Sequence, residues 1–466
     1  MIPISLAEVV AAVAGTAPWL PEAANTMVTG DVLHDSRKVS NGDLFVAIAG
    51  DSYDGHDFVA DALAAGAVAA IVSRPTEGRT IEVADSVSAL GLLAHAVLAR
   101  LPNTRVVALT GSSGKTSTKD MLAAVFGAAG PTVAPAGSFN NELGLPMTVL
   151  SVDADTQWLV LEMGARSIGH IQTLCEIAAP DVGMVLNVGS AHVGEFGGAD
   201  KIAEAKSELV AALKPSGTAV LNADDPRVST MVQLTRGRVW WFGSGADCHV
   251  QIVSVELDEL ARPTVVLRIL DELFTVPLQT HGAHQALNAA AAAAAAASVG
   301  IPAREIVDSL AKARAASRWR MEVTQTADGV TVVNDAYNAN PESMAVALQA
   351  LASMGTNRKT WAVLGEMLEL GDDSLTAHDA TGRLALRLGI DRVIGVGPGA
   401  RRIVLGAASE GYFNGEAEAV PDLKAAAALL KEGVEPGDIV LLKASRAVGL
   451  ERLVGSIIED HGGSTA

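Results

Sequence analysis

The segment that most constrains the fold is "TRVVALTGSSGKTSTKDMLAAVFGAAG", residues 104–130, where an apolar run leads into a glycine-containing turn and then a helical pattern. A common phosphate-binding loop has the pattern G-x-x-x-x-G-K-[ST]. Here Leu109 stands where that pattern has its first glycine, and Gly111 gives the shorter spacing G-x-x-G-K-T. A strand, a glycine turn and a helix N-terminus together favour phosphate binding. An ordinary strand-to-helix turn is the alternative interpretation of this motif alone.

The same order of apolar run, polar or glycine-rich loop and helix recurs along the chain. The units are short up to about residue 100, longer from "TRVVALTG" onward, and a third series begins near "GVTVVNDAYNANP". Buried apolar strands joined by helical crossovers predict parallel sheets with helices on both faces. We therefore expect an α/β protein of three domains: a small α/β domain at 1–100, a P-loop domain at 101–315, and a Rossmann-like α/β domain at 316–466.

Composition excludes some partners and compartments. A formal charge of −19 over 466 residues is unfavourable for nucleic-acid binding, which requires a basic surface. The opening "MIPISLAEVVAAVAG" has no positively charged segment before an apolar stretch, so no secretory signal is expected. The alanine-rich "LNAAAAAAAAASVG" indicates a packed helix and no membrane span. Cys175 and Cys248 lack metal-ligand spacing and indicate two buried thiols in a reducing cytoplasm.

Two further residues come at the ends of predicted strands. The apolar strand "WLVLEMGA" ends on Glu162, and a later strand leads into "GSAHVGEFGG", which contains His192. An acid at the end of a strand beside a phosphate loop commonly holds Mg²⁺, with the Thr116 hydroxyl as another ligand. Taken alone, Glu162 is more typical of a solvated surface group and His192 of a surface or packing residue. Beside a phosphate loop, both become candidate metal ligands.

Lys206 lies on the apolar side of a predicted helix. In "DKIAEAKSELVAALK" the inner face runs Ile202, Lys206, Leu209 and Leu213, at spacings of four, three and four residues. One interpretation, which the pattern alone favours, is that the stem packs while the ammonium group reaches water. The other is functional, because a desolvated lysine has its charged form disfavoured and can react as the free amine.

Seven segments, in order, resemble the Mur ligases, which are cytoplasmic enzymes that join amino acids to the peptidoglycan precursor. They are "TGSSGKTSTK", "GSFNNELGLP", "LVLEMGA", "NVGSAHVGEFGG", "AEAKSEL", "GAHQALNAAAA" and "VNDAYNANPESM". The family's phosphate loop has the shorter G-x-x-G-K-T form, with Thr and Asn in many members where Ser112 and Ser113 stand here. The resemblance covers nearly the whole chain and implies an ATP-dependent carbon–nitrogen ligase.

Two segments are similar to the member that completes the peptide in the final cytoplasmic step. "HDSRKVSNGDLFVAIAGDSYDGHDF" resembles the UDP-binding domain shared by the third- and final-step ligases, and "DAYNANPESM" with "VLGEMLELG" resembles the final-step C-terminal domain. The implied substrates are UDP-N-acetylmuramoyl-tripeptide, D-alanyl-D-alanine and ATP, and the implied enzyme is a monomer whose C-terminal domain closes on ATP. A third-step amino-acid ligase, folylpolyglutamate synthetase and a P-loop ATPase switch are the alternatives.

The resemblance also implies residue roles. ATP phosphates would contact the loop Gly111, Ser112, Ser113, Gly114, Lys115, Thr116 and Ser117. Asn288 would meet the adenine, and Arg320 and Asp335 would close over the phosphates and ribose. Two Mg²⁺ ions would be held by Thr116, Glu162, His192 and Lys206, the last as a CO₂-derived carbamate; Lys115, Glu162, His192 and Lys206 would be the catalytic residues.

For the other substrates, the resemblance implies contacts on all three domains. Ser36 and Arg37 would contact the UDP end of the acceptor, and Asn140 and Asn141 the muramoyl peptide. Around the dipeptide the candidates are Asn338, Asn340, Ser445 and Arg446. The segment "ASRWRME" departs from the family's glycine-arginine form, so that either Arg318 or Arg320 could meet the nucleotide. No residue is singled out as the base for the incoming amine.

Overall fold

The computed structural model describes residues 1–50, 53–189, 196, 198–411 and 416–462. Its first part contains a two-stranded antiparallel pair and a four-stranded parallel sheet. The strands are β1 (Ile4–Ser5), β2 (Met27–Val28), β3 (Val32–Leu33), β4 (Leu44–Val46), β5 (Ala69–Val72) and β6 (Thr80–Glu82). The helices are α1 (Leu6–Ala12), α2 (Leu20–Ala23), α3 (Val59–Ala64) and α4 (Ser86–Ala99).

The middle part is built on a nine-stranded sheet. Its strands are β7 (Arg105–Thr110), β8 (Thr132–Val133), β9 (Trp158–Glu162), β10 (Val182–Val185), β11 (Thr218–Asn222), β12 (Arg238–Gly243), β13 (Val250–Leu257), β14 (Pro263–Ile269) and β15 (Glu272–Pro277). Its helices are α5 (Lys115–Ala129), α6 (Gly144–Val149), α7 (His170–Ile177), α8 (Ala199–Ala211), α9 (Pro226–Thr230), α10 (Gln285–Ser298) and α11 (Ala303–Leu310).

The strand order in this sheet is β15-β14-β13-β12-β11-β10-β7-β9-β8. Strands β7 to β12 pair in parallel, as predicted, and β13 pairs in parallel with β12. The pairs β13–β14 and β14–β15 are antiparallel and extend the sheet at one edge. In β14 buried and half-buried residues alternate, which is typical of a strand with one covered face. Because β7 lies between β9 and β10, the loops that follow these three strands meet at one edge, where parallel α/β sheets bind ligands.

The last part is a six-stranded sheet with the order β16-β17-β21-β18-β19-β20. Its strands are β16 (Glu322–Gln325), β17 (Thr331–Asn334), β18 (Thr360–Leu364), β19 (Arg392–Val396), β20 (Ala417–Val420) and β21 (Ile439–Lys443). Among the described strands of this sheet, only the edge pair β16–β17 is antiparallel. The helices are α12 (Pro341–Met354), α13 (Ser374–Arg387), α14 (Arg401–Glu410), α15 (Leu423–Gly433) and α16 (Arg452–Asp460).

Apolar packing holds these parts together. Helix α4 at the end of the first part contributes Leu90, Leu93 and Val97 to a core that also contains residues of α6 and α7. On the other face of the middle sheet, the alanine-rich helix α10 is buried almost throughout, because methyl side chains let it approach the strands closely. The C-terminal sheet has a core on each face. The structure confirms the predicted three-domain α/β class and the packed alanine helix.

Candidate active site

A cavity of about 520 Å³ lies at the carboxyl ends of β7 and β9, between the middle and C-terminal domains. Fifteen of the site residues predicted from the sequence line it: Ser112, Ser113, Gly114, Lys115, Thr116, Ser117, Asn140, Asn141, Glu162, Lys206, Arg320, Asn338, Asn340, Ser445 and Arg446. The fold therefore brings the phosphate loop together with residues more than 200 positions away in sequence.

The phosphate loop is a tight turn between β7 and α5. Gly114 has φ +79°, and a Cβ there would lie 2.5 Å from Asn288 Oδ1, so both conformation and space require glycine. Asn187 was not predicted, yet its Oδ1 accepts hydrogen bonds from Ser112 N at 3.0 Å and Ser113 N at 2.9 Å. Its Nδ2 donates to Ser113 O at 3.2 Å. Asn187 therefore fixes the orientation of the loop from the end of the neighbouring strand.

Lys115 begins α5 and lies beside the other charged groups of the cavity. Its Nζ donates to Gly111 O at 2.6 Å, which folds the side chain back over the loop. Burial lowers the pKa of Lys115; Arg320 also lowers it, whereas Glu162 opposes the shift. An anionic phosphate placed here would favour the ammonium form by the same Coulombic effect as Glu162.

Glu162, the last residue of β9, has both carboxylate oxygens engaged. Oε2 accepts from Thr116 Oγ1 at 2.9 Å and Oε1 accepts from Asn140 Nδ2 at 2.7 Å. Ser138 Oγ, a group that sequence reasoning missed, lies 2.8 Å from Thr116 Oγ1. These oxygens form a hard-donor set of one carboxylate and two hydroxyls, which fits Mg²⁺ when phosphates and water complete the shell. In the described part of the chain, no three His, Cys, Asp or Glu side chains form a protein-only metal cluster.

Lys206 lines the cavity from α8. Lys206 is 5% exposed and lies on the buried side of the helix with Ile202 and Leu209, as the sequence pattern predicts. Burial lowers the pKa of Lys206 well below its ordinary value, and the nearby charge of Lys115 lowers it further. Burial therefore disfavours the ammonium form of Lys206, which is the direction that the functional interpretation requires.

Arg320, rather than Arg318, reaches the phosphate loop. Arg320 Nη2 lies 3.3 Å from Thr116 Oγ1 and 3.2 Å from Ser138 Oγ, and its guanidinium stacks on the Tyr337 ring at 4.1 Å. Arg318 is exposed to solvent and does not line the cavity. The geometry thus favours Arg320 over Arg318, and contact of Arg320 with the nucleotide stays a prediction.

Asp335 lies behind Arg320 and has two donors. Lys443 Nζ donates to Oδ2 at 2.5 Å, and Met321 N donates to Oδ1 at 3.0 Å. Lys443 is 2% exposed, and burial lowers its pKa, although Asp335 opposes the shift. His284, at the start of α10, is near the same pair, and burial lowers its pKa to about 4, so it is neutral at neutral pH. Asp335 does not line the cavity.

The predicted dipeptide residues line the cavity and also have structural contacts. Asn340 caps α12 by accepting from Ser343 N at 2.8 Å, and Ser445 Oγ accepts from Leu368 N at 3.0 Å. The Arg446 guanidinium lies 3.8 Å from the Trp319 ring centroid and forms an ion pair with Glu451 at 2.7 Å. The backbone carbonyl of Asn338 accepts from Lys443 Nζ at 2.9 Å. The position of these four residues in the cavity lining is compatible with substrate contact.

Several predicted residues lie elsewhere. Ser36 and Arg37 are in a short 3₁₀ turn of the N-terminal domain, outside the cavity, where Arg37 Nε donates to Asp35 at 2.8 Å. The Asn288 side chain packs against Gly114, and its Nδ2 donates a hydrogen bond to Gln285 Oε1 at 2.9 Å. His192 lies outside the described residues, so its predicted metal contact is not described by this structure.

A phosphate loop, a strand-terminal carboxylate and buried cationic side chains at one rim define a nucleotide-dependent phosphoryl-transfer enzyme. Three domain families match the chain: the Mur ligase family catalytic domain at 31–103, the Mur ligase middle domain at 109–296, and the Mur ligase glutamate ligase domain at 319–446. The chain therefore belongs to the Mur ligase family. It is an ATP-dependent ligase, as the family's members are.

Individual relatives match nearly the whole chain. The UDP-N-acetylmuramoyl-tripeptide–D-alanyl-D-alanine ligase of Mycobacterium bovis is 44% identical, over 99% of this chain and 98% of its own length. The ligase of the same name from Bacillus subtilis is 35% identical over 94% and 95%.

Solved structures agree with the sequence comparison. A crystal structure of MurF from Acinetobacter baumannii has a TM-score of 0.89 at 32% identity, covering 98% of this chain and 99% of that one. MurF from Thermotoga maritima in complex with ADP has a TM-score of 0.81 at 33% identity, covering 93% and 98%. No helix within the described residues is long and apolar enough to cross a membrane.

Proposed function

We propose that this chain forms the amide bond between UDP-N-acetylmuramoyl-tripeptide and D-alanyl-D-alanine, using ATP, in the final cytoplasmic step of peptidoglycan precursor synthesis. The observation that carries the proposal is the match to ligases of that name over 99% of this chain. The cavity agrees with it, because residues of the phosphate loop and of the C-terminal domain line one space of about 520 Å³.

The reaction needs activation because a carboxylate is a poor electrophile. The terminal carboxylate of the tripeptide attacks the γ-phosphorus of ATP, the bond to the β-phosphate oxygen breaks, and ADP leaves. In the resulting acyl phosphate, the free amine of D-alanyl-D-alanine attacks the acyl carbon. The tetrahedral intermediate expels inorganic phosphate and loses a proton, leaving the amide.

Both partners in the first step are anions, so the site must offset their repulsion. Lys115 and Arg320 converge on the loop, and donors fixed before the reaction stabilise developing charge without reorganisation. Thr116, Ser138 and Glu162 would hold Mg²⁺, which when bound neutralises phosphate charge and orients the transferring group. Lys206, and His192 from outside the described residues, are the candidates for a second ion.

Lys206 is the proposed site of a CO₂-derived carbamate. Its neutral amine would attack CO₂, forming an N–C bond as one C=O electron pair moves to oxygen; loss of a proton then leaves a carbamate anion. The buried position and the lowered pKa of Lys206 support this proposal because only the free amine reacts. Protein prepared with ¹³CO₂ should show a carbamate carbon signal that is absent from Lys206→Ala.

The three domains offer a separate place for each substrate. We assign the UDP end of the acceptor to the region of Ser36 and Arg37, its peptide to Asn140 and Asn141, ATP to the phosphate loop with Asn288, and the dipeptide to the lining of the C-terminal domain. We also propose that the enzyme acts as a monomer, as the family resemblance implies. We also propose a cytoplasmic location, because nucleotide-linked precursors and ATP are substrates found there. We further propose that the three domains meet near residues 100 and 315.

A ligation assay tests the function. Purified protein, ATP, Mg²⁺ and UDP-N-acetylmuramoyl-tripeptide ending in lysine or diaminopimelate should release phosphate and form the pentapeptide only when D-alanyl-D-alanine is added. Phosphate release that ignores the dipeptide would indicate an ATPase switch. Ligation of a free diamino acid to UDP-N-acetylmuramoyl-dipeptide would indicate a third-step ligase. Either result would overturn the assignment.

A further inference from the structure

Two charged residues of α5, Lys119 and Asp120, are buried although the reaction described above does not use them. They follow Lys115 by about one helical turn and are 1% and 7% exposed. Lys119 Nζ lies 2.5 Å from Asp120 Oδ1, so the two form a buried ion pair. Desolvation makes such a pair costly, and well-packed apolar residues can often replace it without loss of stability. Their burial therefore calls for a reason beyond packing.

The pair contacts the segment that links the middle domain to the C-terminal domain. Asp120 Oδ2 accepts from Ala316 N at 3.1 Å and Ser317 N at 3.0 Å, and Asp120 Oδ1 accepts from Ser317 Oγ at 3.2 Å. Lys119 Nζ lies 3.2 Å from the same Ser317 Oγ. The linking segment is thus fixed to the helix that follows the phosphate loop.

Lys119 also holds the loop that carries Ser138. Its Nζ donates to Pro135 O at 2.7 Å, three residues before Ser138. Ser138 Oγ and Arg320 Nη2 in turn meet at 3.2 Å, beside Thr116. One buried pair therefore restrains both segments whose side chains converge on the phosphate loop.

The linking segment is restrained at its other end by a second buried pair. Met321 N donates to Asp335, which is paired with Lys443. Between the two restraints, Trp319 has φ +59° and Met321 has φ +52°, a conformation that is uncommon outside glycine. Such backbone persists only where its surroundings hold it, and it clusters at functional sites.

From these contacts we propose that Lys119 and Asp120 are positioning residues for ATP binding and phosphoryl transfer. They fix residues 316–321 against α5 and thereby direct the Arg320 guanidinium at Thr116 and Ser138. Arg320 lies between Trp319 and Met321, which both have left-handed backbone. The role in turnover rests on the proposed ligase function. The role in ATP binding does not depend on it and can be measured alone.

The test is a double-mutant cycle between Asp120→Asn and Arg320→Ala, with affinity for ATP by calorimetry and ligation turnover as separate readouts. Asp120→Asn keeps the side-chain volume and one acceptor oxygen for the two amides, but it removes the negative charge that pairs with Lys119 and the second oxygen, which accepts from Ser317 Oγ. We expect it to weaken ATP binding about tenfold and to reduce kcat at least tenfold. In the Arg320→Ala background it should add less than twofold to either loss, because the residue acts through Arg320.

A matched control separates positioning from general destabilisation. Asp438 is also a buried carboxylate (5% exposed) and accepts from Trp361 Nε1 at 2.8 Å and Glu435 N at 3.0 Å, outside the cavity. Asp438→Asn should lower the melting temperature yet leave ATP affinity and kcat within twofold of the parent. If Asp120→Asn does not fold, Ser317→Ala removes only the shared hydroxyl and should weaken ATP binding about threefold.

Lys119→Arg should retain more affinity than Lys119→Met, since a cation can still reach Pro135 O. Full additivity of the Asp120→Asn and Arg320→Ala losses, or unchanged ATP affinity in both Asp120→Asn and Ser317→Ala, would overturn the positioning role. A parent that binds ATP but forms no pentapeptide would overturn the ligase function instead. The two readouts keep these failures apart.

Discussion

Thr116 Oγ1 donates a hydrogen bond to Glu162 Oε2 at 2.9 Å, joining the first turn of the helix after the phosphate loop to the end of the adjacent strand. The contact places a hydroxyl and a carboxylate where a hard cation would bind beside phosphates. It does not depend on the identity of the peptide substrate.

Replacing the Thr116 hydroxyl should impair the use of Mg²⁺. We expect Thr116→Val, which has a similar shape without the oxygen, to reduce turnover about 100-fold, a loss of about 2.7 kcal/mol of transition-state stabilisation. Its activity should also require more Mg²⁺. Thr116→Ser, which keeps the hydroxyl, is the control and should remain within a few-fold of the parent across a magnesium titration. Equal activity of the valine and serine variants would contradict a metal role.

Lys206→Ala should reduce turnover at least about 100-fold, because the carbamate would supply part of the charge around the metal. Added formate or acetate should restore part of the activity by entering the vacated space as a carboxylate. Lys206→Met should gain no such rescue, since its side chain fills that space. An alanine variant with undiminished turnover would end the carbamate proposal.

Lys206 should also have a pH signature in stability. Its folded-state pKa is lowered below 10.5, so the unfolded chain binds more protons and, in CO₂-free buffer, this residue destabilises the fold progressively as pH falls below about 10.5. Lys206→Met should therefore raise the melting temperature at pH 7, and the gain should shrink as the pH approaches 10.5. A gain that is independent of pH would argue that the effect is packing rather than charge.

Asn187 should control ATP affinity through the loop that it orients. Loss of two amide hydrogen bonds at about 1 kcal/mol each predicts that Asn187→Ala weakens ATP binding at least about tenfold. Asn187→Asp keeps an acceptor for Ser112 N and Ser113 N but adds a negative charge beside the phosphates. If the site binds phosphate, the aspartate variant should bind ATP more weakly than the alanine variant, as measured by calorimetry. The reverse order would place the phosphates elsewhere.

Arg320 and Arg318 form a natural matched pair, two residues apart in sequence and different in position. Arg320→Lys should lower kcat about ten- to 100-fold, because an ammonium group cannot reproduce the guanidinium stacked on Tyr337 and directed at the loop. Arg318→Lys, on an exposed side chain, should leave kcat unchanged. Steady-state kinetics of the two variants show which arginine contributes to turnover. A larger loss of kcat for Arg318→Lys than for Arg320→Lys would contradict the geometry.

Much of the site follows from local sequence patterns. Strand, glycine turn and helix locate Lys115 and Thr116, a strand-terminal acid locates Glu162, and helical periodicity places Lys206 on a buried stripe. The thiols of Cys175 and Cys248 are buried as expected. The structure places the three side chains and the lysine where these patterns predict, because each pattern depends on residues close together in the chain; their roles stay predictions.

The rest depends on contacts between distant segments. Asn187 meets the phosphate loop from 74 residues away, and nothing local distinguishes it from any other strand-terminal asparagine. The antiparallel strands β13 to β15 were not predicted, although alternation in β14 was a usable signal. Lys119 was likewise detectable: with Leu122 and Phe126 it follows helical spacing, the same pattern that identifies Lys206.

Transfer of phosphate to the tripeptide carboxylate is tested most directly by isotope transfer. UDP-N-acetylmuramoyl-tripeptide carrying ¹⁸O in its terminal carboxylate is incubated with ATP, Mg²⁺, D-alanyl-D-alanine and the enzyme, and the released phosphate is analysed by mass spectrometry. Attack of the carboxylate on the γ-phosphorus followed by amine attack on the acyl carbon predicts one ¹⁸O atom in each phosphate. Unlabelled phosphate accompanying amide formation would contradict an acyl phosphate in this cavity.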